Sequence, residues 1–259
     1  MNRSDTIDHA VRPGLVAYGV VHLVLGWLAL QLAFGDSQGS ASSSGAVRTL
    51  AEQPFGLVLV WLVALGMLLL VLWQLLEAVA GHRGLDGSSR LRQRLTSLGK
   101  AVVYAYIGAS AVTIATGSGS SGGGTDSMTA QVMELPGGQL LVGIAGAGIM
   151  AIGGYLIWKG VTEKFLEDLT GKGRRGASGT VYVWLGKIGY AAKGVALGVV
   201  GVLFGYAAVT HEANRSGGLD QALQEVLDQP FGPYLLSAMA LGIASFGAFC
   251  FVHARHLSR

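Results

Sequence analysis

The chain has 259 residues, 51% hydrophobic and 13% charged, with a mean hydropathy of +0.51. Soluble domains carry roughly 25% charged residues. The shortfall excludes an ordinary soluble globule, a disordered chain and, despite a pI near 9.1, a nucleic-acid binder. The 41 glycines have no three-residue period, and the five prolines and one cysteine exclude collagen, a proline-rich linker and an internal disulfide. A multi-span helical membrane protein remains.

A helix needs about 20 apolar residues to cross a hydrocarbon core of ~30 Å. Charge-free stretches predict spans near 14–34, 55–79, 98–116, 138–160, 184–209 and 231–254. The first is too long for the apolar region of a signal peptide and reads as a retained span. The fifth reaches full length by taking in Lys187 and Lys193 near one end, where long stems can snorkel. The alternation of a membrane β-barrel is absent. The expected fold is therefore all-α, a six-span bundle in a single membrane domain.

One side of the bilayer collects the N-terminus, residues 80–100, residues 159–193 and the C-terminus, with 16 of the 18 Lys and Arg; the other keeps Arg48 and Arg215. Acidic residues split 7 against 8, so the bias is basic alone. By the positive-inside rule both termini should be cytoplasmic, in a multi-pass protein of a plasma membrane.

The strongest signal is an internal repeat. Pro54, Pro136 and Pro230 each open an even-numbered span, followed two places on by Gly56, Gly138 and Gly232. Gly66, Gly148 and Gly242 stand twelve places after the prolines, and Trp73, Tyr155 and Phe249 nineteen places after. The first and third corners read Gln53-Pro54-Phe55-Gly56 and Gln229-Pro230-Phe231-Gly232; the middle one is degenerate, Leu135-Pro136-Gly137-Gly138. The repeats are placed at 12–80, 97–168 and 184–255. In the odd spans, Gly14 with Gly26, Gly99 with Ala111 and Gly189 with Gly201 share a spacing of twelve. Proline suits the first helical turn, where it loses no intrahelical bond.

A short amphipathic helix is expected before each corner. In the third copy Leu219, Ala222, Leu223, Val226 and Leu227 fall on one face, with Asp220, Gln221, Gln224, Glu225 and Asp228 opposite. Ala46, Val47, Leu50 and Ala51 serve in the first copy, and Met128, Val132 and Met133 in the middle one. Each should lie on the outer membrane surface or cap the bundle.

The threefold Gln-Pro-Phe-Gly corner, its preceding amphipathic turn and the tandem two-span units resemble the bacterial, mainly actinobacterial, integral-membrane family catalogued as domain of unknown function 1206 (DUF1206). The resemblance covers about residues 12–255. It implies a bacterial plasma-membrane protein and no particular activity. The degenerate middle corner departs from the pattern.

Units of two spans all insert the same way up, so three hairpins could close around an axis along the membrane normal. Gly194, Gly198, Gly201 and Gly205 form a stripe on the fifth span, expected to pack inside the bundle or, alternatively, to form a homo-oligomer face. Polar groups within spans are the candidate chemistry. Glu77, Lys159 and His253 each lie 23 residues after a corner proline, where they could form a ring at the cytoplasmic edge or simply snorkel. His22 stands mid-span, a relay candidate or the donor of one interhelical hydrogen bond. Gln74, one turn before Glu77, could line the same cavity. Lys193 aligns with Tyr18 and is expected to reach back to the cytoplasmic surface.

No catalytic residue, metal site or cofactor signature is found, and His253 with His256 read as ordinary terminal residues. The expected function is a non-enzymatic membrane scaffold or accessory subunit. The alternative is a small-solute or proton path along the pseudo-axis, with His22, Gln74, Glu77, Lys159 and His253 as its polar residues. Expected partners are the lipid bilayer and a homo-oligomer or larger membrane complex, with no nucleic acid.

Overall fold

In a computed structural model, residues 3–35, 40–81, 87–118, 125–168 and 176–256 are described, without the side chains of 3–10, 125–128 (Met128 among them), 168 and 176–178. Most of these residues are helical, with no strand among them. Six long helices are apolar enough to cross a membrane: α1 (Arg3–Ala33), α3 (Gly56–Ala80), α4 (Gly87–Ala115), α6 (Gly138–Val161), α7 (Gly176–Thr210) and α9 (Gly232–Arg255). Three short helices precede the even spans: α2 (Ser43–Ala51), α5 (Thr125–Met133) and α8 (Leu219–Leu227). The three odd-numbered spans begin earlier than expected, because backbone near their polar N-terminal ends gains hydrogen bonds by continuing the helix.

The tightest packing runs between repeats rather than within them. Each even span lies antiparallel along the odd span of the next unit: α3 on α4, α6 on α7, and α9 back on α1. Within units, α1 touches α3 and α7 touches α9, but α4 and α6 of the middle unit are not packed together. The bundle is a pseudo-threefold ring with one open seam.

The close pairs share a register that the corner prolines count out. Ten, seventeen and twenty-four residues on stand Gly146, Gly153 and Gly160 in α6, and Ala240, Gly247 and Ala254 in α9. A Cβ on Gly153 would sit 2.7 Å from the Gly194 carbonyl oxygen, and one on Gly247 would sit 2.8 Å from that of Gly19. Helix backbones are in contact there, and in lipid such close packing is a main source of helix association. The equivalent positions of α3 are Ala64, Val71 and Ala78, so the glycines of that register are absent there.

The corners explain their own motif. Gly56, Gly138 and Gly232 each donate a backbone hydrogen bond, at 2.7–2.8 Å, to the residue three before: Gln53, Leu135 and Gln229. The residue between proline and glycine is left-handed in every copy, with φ of 62° at Phe55, 76° at Gly137 and 62° at Phe231. Glycine adopts that conformation freely, whereas phenylalanine pays about 1–2 kcal/mol. The middle corner is therefore the relaxed version of the same turn. Phe55 and Phe231 are 85% and 77% exposed, placed like interfacial aromatic anchors. The following glycine is obligatory, because a Cβ there would overlap a carbonyl oxygen of the preceding short helix: Ala51, Val132 or Leu227. One expectation is corrected: Pro54, Pro136 and Pro230 sit in the turn, two residues before the first helical residue, and not in the first helical turn.

The short helices cap the bundle. Ala46 and Val47 of α2 are fully buried against α1, α3 and α4, and Ala222 and Leu223 of α8 are fully buried beside α7, α9 and α1. The Asp220 carboxylate of α8 accepts from Ala41 N at 2.7 Å, joining third unit to first. The helix α5 packs on α6 and on residues 213–215 alone, leaving the seam beside α4 open. We call the end that carries these caps the corner end and its opposite the terminal end.

Candidate functional site

The polar centre of the bundle is built by α1, α7 and α9, with a contribution from α4. His22 is 5% exposed. Its Nδ1 lies 2.9 Å from the Tyr18 carbonyl oxygen of its own helix, which only a protonated Nδ1 can satisfy. That fixes the tautomer and leaves Nε2 as an acceptor, 3.2 Å from Lys193 Nζ. Lys193 also donates to the Tyr18 hydroxyl. Its ammonium stands 4.1 Å from the Phe246 ring centroid and 4.7 Å from that of Tyr18, within cation–π range.

Aromatic rings surround this centre. Tyr104 of α4 meets Tyr18 edge-on at 5.1 Å, and Tyr190 of α7 meets Phe246 edge-on at 5.2 Å. Phe165, from a short turn after α6, is fully buried and stacks on Tyr190 at 5.4 Å. It fits there because position 186 is glycine; a Cβ would overlap the Phe165 ring. The Phe165, Tyr190 and Phe249 rings thus close the bundle at its terminal end.

Depth follows from register. A Cβ on Gly194 would meet Gly153 O and Ile157 N, so the neighbouring Lys193 stands about six residues, or about 9 Å, from the end of α6. Gly247 lies between Gly19 O and Leu23 N, so His22 is level with Phe246, nine residues or about 14 Å from the end of α9, near mid-membrane. Among the described residues no carboxylate pairs with Lys193. A cation at this depth costs several kcal/mol without a counter-charge and is retained for a reason.

The expected surface reach of Lys193 is corrected: it crosses to α1 and bonds Tyr18, its own counterpart in the first unit, 175 positions away. His22 likewise accepts the interhelical hydrogen bond instead of donating it. Equivalent residues of the first and third units meet at the pseudo-axis; the middle unit supplies exposed Val103 at that position and brings up the adjacent Tyr104. Sequence reasoning named Tyr18 only as the counterpart of Lys193 and did not single out Tyr104 or Phe246. The available signal was a lysine seventeen residues past the first residue of α7, aligned with a tyrosine.

Of the remaining candidates, Lys159 and His253 border the Tyr190–Phe249 ring pair, while Gln74 and Glu77 lie apart on α3. Gln74 is 3% exposed on α3, while Glu77 is half-buried one turn on. Lys159 lies 5.1 Å from the Tyr190 ring centroid, and the His253 ring stands 6.0 Å from that of Phe249. Their helices α3, α6 and α9 each pack on odd spans rather than on one another. Gly194 and Gly201 face α6, where a Cβ on Gly201 would meet the Gly146 carbonyl oxygen at 2.9 Å; Cβ atoms on Gly198 and Gly205 would meet nothing within 4 Å. The corner residues Gln53 and Gln229 bond back to the Thr49 and Glu225 carbonyl oxygens at 3.4 and 3.2 Å.

The two best-formed concavities, about 280 and 350 Å³, lie toward the corner end. One is lined by Glu134, Gln139 and His211, the other by Trp27, Thr49 and Gln53. No group of three metal-ligating side chains occurs among the described residues.

The family model described as Domain of Unknown Function (DUF1206) matches residues 14–81, 95–163 and 188–256, one match per hairpin. A protein of Bacillus subtilis (strain 168), named "Uncharacterized protein YxxB", is 30% identical over 239 residues, covering 92% of this chain and 86% of its own. No solved structure matches.

Proposed function

The chain belongs to the DUF1206 family, and from that premise we propose that it is a non-enzymatic scaffold or accessory subunit of a bacterial plasma membrane, with both termini cytoplasmic. The observation that carries this reading is how the bundle uses its polar groups. His22 spends both ring nitrogens on internal hydrogen bonds, and Gln74 is buried on another helix. A conduit needs such groups to line one water-filled path, whereas His22 turns to Lys193 and Tyr18 inside the bundle and Gln74 lies on a helix that does not join that cluster. Backbone contacts along α6–α7 and α9–α1 make those pairs rigid, as befits a part that others assemble on. The basic bias of residues 80–100 and 159–193 supports the orientation.

The test is affinity purification from native membranes in mild detergent, followed by mass spectrometry. A reproducible stoichiometric partner is expected. A lone monodisperse monomer, combined with solute or proton flux in proteoliposomes, would overturn the scaffold in favour of a conduit. Cysteines placed at Ser89 and Asp228, in a Cys250→Ala background, should react with impermeant maleimide from the inside and outside respectively; the reverse pattern would refute the orientation.

A further inference from the structure

We infer that Lys193 and Tyr18 form an intramembrane site for the carboxylate of a long-chain amphiphile, entered from the bilayer through the seam beside α4. The inference does not depend on the scaffold reading. An ammonium carries three donors. Lys193 places one on the Tyr18 hydroxyl oxygen and one on His22 Nε2. Its third N–H finds only the Phe246 ring face, with no oxygen or nitrogen acceptor for it among the described residues. The Tyr18 hydroxyl, already accepting from Lys193, has its own O–H with none either. Two unanswered donors therefore stand side by side, matching the two oxygens of a carboxylate. The pair is charge-assisted on one arm, and its anion would neutralise a cation that the bilayer otherwise penalises.

Two observations choose the bilayer over water as the source. Toward the terminal end the site is backed by Tyr190, Phe246 and the inserted Phe165 ring. Toward the side, α4 packs on neither α6 nor α7, and Lys193 is only partly buried.

The experiment measures binding of radiolabelled palmitate to the full-length protein in detergent, with hexadecanol as the neutral chain and acetate as the small carboxylate. Palmitate is expected to bind about tenfold or more tighter than hexadecanol, as one charge-assisted hydrogen bond warrants. Lys193→Met should abolish that preference. Tyr18→Phe, which keeps the ring and the lysine, should weaken palmitate severalfold and leave hexadecanol unchanged; it decides the matter if Lys193→Met does not fold. Equal retention of palmitate and hexadecanol, or unchanged palmitate binding in folded Lys193→Met, would overturn the site. Competition by acetate at concentrations comparable to palmitate would overturn the bilayer route, and phosphatidylglycerol displacing palmitate more effectively than palmitate itself would overturn the carboxylate.

Discussion

The glycine contacts between α6 and α7 yield the sharpest prediction, because two adjacent positions should respond oppositely. A Cβ on Gly153 would lie 2.7 Å from Gly194 O and 2.9 Å from Gly198 N, whereas one on Gly154 would meet nothing within 4 Å. Both obstacles are backbone, so no side chain can swing aside. Ordinary contact begins at 3.4 Å, so Gly153→Ala must push the helices about 0.7 Å apart. A gap of that size forfeits a quarter to a half of each dispersion contact, here along the whole pair. Overpacking of this kind costs about 1–3 kcal/mol. Both substitutions gain the same helix propensity, up to about 1 kcal/mol, so it cancels in the comparison. Thermal unfolding in detergent, followed by intrinsic fluorescence, should put Gly153→Ala several degrees below Gly154→Ala, at roughly 2–4 °C per kcal/mol. Equal melting of the two variants would refute a backbone-contact interface.

Other outcomes follow from the same geometry. Gly201→Ala should destabilise and Gly198→Ala should not, since only the former meets α6 backbone; equal melting would remove Gly201 from the interface. Phe55→Gly should relieve about 1 kcal/mol of left-handed strain while Phe55→Val worsens it, so the glycine variant should be the more stable in detergent; the opposite order would mean that the phenyl ring packs on protein. Gly56→Ala and Gly232→Ala should prevent accumulation of folded protein, checked by size-exclusion of a fluorescent fusion, and normal yield of either would contradict the corner geometry. Lys193→Met should leave the melting temperature unchanged or raise it, because it removes a deep cation; a fall of many degrees would make Lys193 a structural strut instead of a binding group.

Local chemistry wrote much of this fold plainly. Apolar length gives the six helices, Lys and Arg give the expected orientation, and Pro-x-Gly recurs because a left-handed turn followed by a crowded glycine is the only way to turn each short cap into its span. These features depend on neighbours within a few residues, so they survive in the one-dimensional pattern. Partner choice does not. That α6 lies on α7 and α9 on α1, while α4 and α6 stay apart, depends on which small faces meet between separate helices. The small-residue register was present in the sequence but could not say which helix it faced. Lys193 shows the same limit: at the edge of a span, reaching out to headgroups or across to Tyr18 are equally open to a long side chain. Only the placement of α1 and α7 on either side of α9, with His22 offering a lone pair and Phe246 a ring face, turns it inward.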